Sequence, residues 1–285
     1  MNLKKKLIIG TANFGSHYGL LKKKISDQDF KKIIADCKRY SIDRFDLAES
    51  YQLPKNYIEK IKKQKIHLKF EFSKYRLKNI ESIIIQKKIQ AFLKKNSLKK
   101  IDTILLHNQR DLISSNSKNI YNALAQLKKK KIILNIGVSF YDTDVLLKVL
   151  NKYKIDSIHV PINLLNHDFI KPSLVRLYKK LNLKVCARSI FLQGLLLNFF
   201  NNKIYSKKFN QFKTIFNNLR KYQINNNLTP LQHSLSFIYS LKFLNGIIIG
   251  IDNEHQLHKI INTKIKKINI TRYRVPKIFT DPRKW

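Results

Sequence analysis

The chain is poor in cysteine, glycine, acidic side chains and long apolar runs, and each shortage excludes something. Its two cysteines, Cys37 and Cys186, form no C-x-x-C pair. They read as free thiols in a reducing compartment rather than as a disulfide. No stretch reaches the ~18 apolar residues of a membrane span. SIFLQGLLLNFF is interrupted by Gln193 and Gly194, and the apolar run in MNLKKKLIIGTANFG is too short for a signal peptide. A cytoplasmic chain without a membrane partner is expected. Among the seven glycines there is no G-x-G-x-x-G after the first apolar run, where GTANFGSHYG has the wrong spacing, and no G-x-x-x-x-G-K-[ST] loop.

The acidic shortage leaves 57 basic against 18 acidic residues and a formal charge of +39. Such a charge fits a polyanionic partner. The lysines, however, run along the whole chain in short clusters, and they accompany abundant Ile and Asn, which share A/T-rich codons. That pattern favours compositional drift over nucleic-acid binding, although a polyanion-binding protein on an inactive scaffold remains the alternative.

An apolar fraction of 44% is ample for a buried core. Short β-branched runs predict strands at Lys6–Gly10, Arg44–Leu47, Leu68–Ser73, Thr103–His107, Ile132–Val138, Ser157–Pro161, Lys184–Ser189 and Gly246–Gly250. Segments of helical periodicity lie between them at Asp27–Tyr40, Ile80–Lys95, Asn119–Lys130, Thr143–Asn151, Ser173–Leu181 and Thr229–Lys242. In the first of these, Phe30, Ile33, Ile34 and Cys37 share one face. Eight strands alternating with helices predict an α/β fold, a single-domain (β/α)8 TIM barrel over residues 1–285.

Chemistry in such a barrel belongs at the carboxyl ends of the strands. FDLAESY puts Asp46 at the end of the second strand and Tyr51 in the loop beyond. FEFSK ends the third on Lys74, and ILLHN ends the fourth on His107. A phenol is a weak acid at neutral pH, and a lysine beside it draws its pKa down. Asp46 would orient and charge Lys74, His107 would hold a substrate carbonyl, and Tyr51 would protonate the alkoxide formed by hydride transfer.

In this order and context the four residues resemble the catalytic tetrad of the aldo/keto reductases. LIIGTANFG, FDLAESY, LLHN, IGVSFYD, VPINLLNH, ARSIFLQGLL and IIIGIDNEHQL resemble the family's successive strand motifs over residues 6 to about 262. GTANFGSHYGL and ARSIFLQGLL are similar to bacterial branches associated with surface-polysaccharide gene clusters. The resemblance implies an NAD(P)H-dependent oxidoreductase that interconverts a carbonyl and an alcohol, with NADPH placed ahead of NADH. The substrate would be a small carbonyl compound or sugar, phosphorylated ones included. A redox-neutral epimerisation through transient oxidation is a further option. By motif position, Ser139, His159, Arg188 and Ser189 would line the nicotinamide end of the cofactor, and Gly250, Ile251, Asp252, Asn253 and Gln256 its phosphate end.

The chain departs from the family pattern at Gln52, where a Gly usually follows the tyrosine, and at Phe140, His159 and Arg188, where Asn, Gln and Tyr are usual. Asp252 would repel a 2′-phosphate. Residues 195–228 are long for a connection and are expected to form a lid, with 263–285 as a C-terminal extension. His255 and His258 have a metal-like spacing but lack a third ligand, so no metal is expected.

Overall fold

The computed structural model of the chain describes residues 3–72, 80–273 and 275–285. Eight parallel strands close into a barrel in chain order. They are β1 (Leu7–Gly10), β2 (Arg44–Ala48), β3 (Lys65–Phe70), β4 (Ile101–Leu106), β5 (Ile133–Ser139), β6 (Ser157–Pro161), β7 (Lys184–Arg188) and β8 (Gly246–Gly250). The ring shuts where Leu7–Gly10 pair with Ile247–Gly250, so no strand edge is left open. This is the predicted (β/α)8 architecture.

The connecting helices start where short polar side chains can accept their orphan backbone N–H groups. Ser26 accepts from Asp29 N ahead of helix Asp27–Arg39, and Asp142 accepts from Asp144 and Val145 ahead of Thr143–Lys152. Thr229 and Gln232 form a reciprocal capping box on Pro230–Ser240. In Asp27–Arg39 the expected inner face is present, with Phe30, Ile33 and Cys37 buried. Among the described residues no helix is long and apolar enough to cross a membrane.

Most strand ends differ from the sequence expectation by one or two residues, and the third strand by more. The third strand runs over Lys65–Phe70, three residues earlier than Leu68–Ser73. Its polar members His67 and Lys69 are buried, at 5% and 4% exposure, where an apolar-run criterion does not look for strand interior. Residues 195–228 contain three helices, Leu195–Asn198, Lys203–Lys208 and Lys213–Asn225. These carry an aromatic cluster of their own. Phe216 stacks on Phe199 with centroids 3.8 Å apart, and Phe212 lies 4.0 Å from Phe279 of the C-terminal segment. Trp285 Nε1 donates to Phe279 O at 3.0 Å, tying the chain end to the same cluster.

Barrel interiors of this type are usually filled by branched apolar side chains. Here Asp46, His67, Lys69, Thr103, Ser139, Ser157 and His159 are all buried on the strands. Unpaired polar groups at such depth would cost several kcal/mol each, so their partners decide what they do.

Candidate active site

Asp46 and Lys69 are brought together by the β2–β3 register, which aligns Asp46 with His67 and Ala48 with Lys69. Lys69 Nζ donates to Asp46 Oδ2 at 2.5 Å, with each side chain about 5% exposed. Tyr51 sits on a single 3-10 turn, Glu49–Tyr51, immediately beyond β2. Lys69 Nζ lies 5.0 Å from the centroid of its ring. His107 follows β4 directly, anchored by its N–H to Phe70 O at 2.6 Å, and meets the Tyr51 ring edge-on at 6.3 Å. Asp46, Tyr51 and His107 therefore converge at the carboxyl end of the barrel. Lys74 lies outside the described residues; among the described residues the lysine beside Asp46 and Tyr51 is Lys69.

The electrostatics follow from burial. Burial pushes the Tyr51 hydroxyl up to about 12, outweighing the downward pull of the Lys69 charge. Lys69 is drawn down by burial, but Asp46 and Tyr51 more than reverse this and hold it above the ordinary lysine range. The pair thus keeps a cation and a protonated phenol in contact. That corrects the expectation that the lysine would bring the phenol toward neutral pH: desolvation is the larger effect.

The turn carrying Tyr51 is tightly constrained. Gly15 packs under it so closely that a Cβ there would lie 2.2 Å from Tyr51 O and 2.5 Å from Gln52 O. Gln52 adopts a left-handed backbone, φ 50° and ψ 41°, which costs a side-chain-bearing residue on the order of 1–2 kcal/mol. A glycine adopts it freely, which accounts for the residue usual in the family. Gln52→Gly is expected to raise stability by roughly 0.5–1 kcal/mol after the entropy of the freer unfolded chain is deducted. Calorimetric melting would check this, and a lower Tm would contradict it.

Beneath the Asp46–Lys69 pair the polar network continues. His159 is wholly buried, and its Nε2 lies 3.0 Å from His67 Nδ1. Motif position assigns this residue to the nicotinamide end, and the structure places it inside the barrel against His67. It occupies the interior because the β5–β6–β7 register aligns it with Ser139 and Cys186. Burial, with the charges of His67, Lys69 and Arg188 added, holds His159 well below the ordinary histidine range. Among the described residues, His67, His159 and Cys186 have ligand-type atoms within 4.8 Å of one another. The facing imidazole nitrogens are used on each other, and Lys69, Arg44 and Arg188 add positive charge, so the trio is a hydrogen-bonding group rather than a cation site.

The remaining predicted positions are divided. Ser139 is buried, whereas Arg188 and Ser189 are half-exposed at the end of β7. The Arg188 guanidinium lies 3.7 Å from the Tyr141 ring centroid and donates to Phe140 O at 2.9 Å. A second guanidinium, from Arg283 of the C-terminal segment, lies 3.2 Å from the same ring. Beyond β7 the chain is strained, with positive φ at Ser189, Leu192 and Gln193. Past β8, Gly250 is exposed, Ile251 is buried, and Asp252, Asn253 and Gln256 bond to one another and to the first loop. Asn253 accepts from Gln256 N at 3.0 Å, and Gln256 Nε2 donates to Asp252 Oδ2 at 3.1 Å. Asn13 Nδ2 donates to Asp252 Oδ1 at 3.0 Å, and Lys23 Nζ is 3.2 Å from Asp252 Oδ2. These partners offset the charge that would repel a phosphate.

Residues that sequence reasoning missed carry recognisable signals. Lys69 and His67 stand two apart in KIHLKF, so they share one face of a strand covered on both sides. Two polar residues in phase there point to the barrel interior. Tyr141 and Arg283, far apart in sequence, left no such signal.

Comparisons with known proteins agree with this geometry. The chain matches the model of the aldo/keto reductase family over residues 6–278. Among solved structures it is similar to the holo form of an aldo-keto reductase from Bacillus halodurans, at 16% identity and a TM-score of 0.69, covering 90% of this chain and 86% of that one. It is also similar to a protein from Pseudomonas aeruginosa assigned as an aldo-keto reductase, at 16% identity and a TM-score of 0.64, covering 90% and 88%. No curated protein matches the chain by sequence. With nearly its whole length matched by the family model and its strands closed into the corresponding barrel, the chain belongs to the aldo/keto reductase family.

Proposed function

We propose that the protein reduces the carbonyl of a small polar substrate by hydride transfer from NADPH or NADH, with Tyr51 as the proton donor. The carrying observation is the buried Asp46–Lys69 ion pair in contact with Tyr51. Family membership implies NAD(P)H-dependent carbonyl reduction in general, and the remaining assignments are ours.

The residues fit a dinucleotide. A Cβ built on Gly250 would meet no atom within 4 Å, so backbone is open to a ligand there. Arg188 Nε is buried without a hydrogen-bond partner, next to half-exposed Ser189. Arg188 and Ser189 would hold the nicotinamide end, and Gly250, Asp252, Asn253 and Gln256 the phosphate end. The cofactor, when bound, supplies the hydride.

The chain's own residues supply the proton. Tyr51, kept protonated by burial, gives its proton to the developing alkoxide, and Lys69 stabilises the phenolate left behind. Asp46 keeps Lys69 charged and aimed. His107, beside the Tyr51 ring, would orient the carbonyl oxygen. Arg188 and Arg283 around Tyr141 support a hydroxylated or phosphorylated substrate, such as a sugar, over a bulky apolar one. Because Lys23 pairs with the Asp252 carboxylate and Asn13 donates a hydrogen bond to it, NADPH stays ahead of NADH.

Titration of the purified protein with NADPH and NADH, followed by fluorescence, tests the assignment. Saturable binding of at least one is expected, with NADPH the tighter. Failure to bind either would overturn the proposal.

A further inference from the structure

The barrel interior holds titratable groups that carbonyl reduction does not obviously need. Below the Lys69–Asp46 pair, Asp46 Oδ1 faces His159 Nδ1 at 3.5 Å, and both atoms are buried without a hydrogen-bond partner. His159 Nε2 faces His67 Nδ1 at 3.0 Å. His67 Nε2 faces Asp102 Oδ2 at 3.6 Å. Asp102 is itself held by Thr103 Oγ1 at 2.8 Å and by Asn135. Asp102 and His67 line a cavity of about 410 Å³ at the strands' starting ends, together with Lys5, Arg44, Lys65 and Lys184. The string therefore runs from Tyr51, at one end of the barrel, to a polar cavity at the other.

We propose that this string is a proton path which reprotonates Tyr51 from the face of the barrel opposite the substrate mouth. The idea rests on Tyr51 being the proton donor. Cofactor and substrate would cover Tyr51 on the mouth side, whereas Lys69, held by Asp46, lies against its ring from below.

The proton accounting closes with each imidazole protonated on Nδ1. Tyr51 O− takes a proton from Lys69 Nζ, which takes one through Asp46. The Asp46 carboxyl draws the His159 Nδ1 proton as His159 Nε2 takes the proton from His67 Nδ1. His67 Nε2 then takes a proton from the Asp102 side, where the cavity meets solvent. Every N–H or O–H bond broken is matched by one formed, and one proton crosses overall; both imidazoles are then protonated on Nε2 and return to the Nδ1–H form by ring rotation before the next turnover. Burial, opposed by Asp46 and Asp102, keeps His67 below its ordinary range, so both imidazoles start neutral and each has an empty acceptor nitrogen.

The groups facing this string come from every side. They are Lys5 ahead of β1, Asp43 just before β2 with Arg44 and Asp46 on it, Lys65 and Lys69 on β3, Asp102 on β4 with His107 beyond it, and Lys184, Cys186 and Arg188 on β7. β1, β5 and β8 contribute no ionisable side chain to it. The lysines and arginines disfavour a doubly protonated histidine resting in the string, which suits transient passage over storage.

Two measurements on the full-length protein test the path. In 15N-histidine NMR, His67 and His159, assigned through His67→Gln and His159→Gln, are expected as the Nδ1–H tautomer. Finding either protonated only on Nε2 would overturn the path. In kinetics with NADPH and 4-nitrobenzaldehyde as probe carbonyl, Asp102→Asn and His67→Gln should leave the first-turnover hydride step within about twofold while lowering steady-state kcat about tenfold, with a larger solvent isotope effect and rescue by added imidazole. Equal loss in both phases would mean a structural role and would also overturn it. Tyr51→Phe separates the two levels: if it silences turnover while both string variants keep full kcat, only the path fails. Turnover surviving in Tyr51→Phe would remove the path's destination.

Discussion

Tyr51→Phe is expected to lower kcat/KM for carbonyl reduction by about 10²–10⁴-fold while leaving the Kd for NADPH nearly unchanged. The substitution removes one hydroxyl and keeps the ring that packs against His107. Loss should therefore appear in the chemical step and not in folding. The pH dependence of the native enzyme follows from the same group. Burial pushes the Tyr51 hydroxyl up to about 12, so the acid form persists through the physiological range. A general acid acts in its protonated form, so reduction should be flat with pH up to about 9 and fall only as the pH approaches the hydroxyl's own value. Alcohol oxidation needs the phenolate and should instead accelerate as pH rises. A reduction rate that halves between about pH 6 and 8, with no other group responsible, would contradict the assignment.

Lys69→Met is expected to have the other large effect, on stability and activity together. Asp46 is left as a buried carboxylate without its cation, and removing one partner of such a pair typically costs about 3–5 kcal/mol. For a domain of this size that corresponds to a Tm lower by roughly 6–15 °C. Turnover should fall as well, because nothing then stabilises the phenolate. The double variant Asp46→Leu, Lys69→Met separates the two consequences. Replacing both charges by apolar groups should recover much of the stability and none of the activity. Calorimetry and steady-state kinetics on the three proteins check this, and activity returning along with stability would contradict the role given to Lys69.

The fold was largely legible because the strands of a closed barrel are buried on both faces and read as apolar runs between amphipathic helices. Ser157–Pro161 and Gly246–Gly250 are predicted to the residue. The third strand shows where that logic fails. Its inward positions carry His67 and Lys69, so the apolar-run criterion slides the strand toward Phe70 and Phe72 and past the lysine that contacts Asp46. Asp46, Tyr51 and His107 were legible since they close strands or follow them directly. The contact of His159 with His67 is not legible in the sequence, because His67 comes from a strand across the barrel. The contacts of Tyr141 with Arg188 and Arg283 could not be read at all, for they depend on where the last residues of the chain fold back. The +39 charge also acquires a local meaning in places, since Lys23 neutralises Asp252 and Lys128 holds Asp156.

The central claim is that an ion pair buried in the barrel, formed by Asp46 with Lys69, makes Tyr51 the working acid. It is tested most directly by comparing single-turnover reduction in Lys69→Met with that of the native protein, each saturated with NADPH. The account predicts a loss of about 10²-fold or more in Lys69→Met. A native rate in Lys69→Met would contradict it.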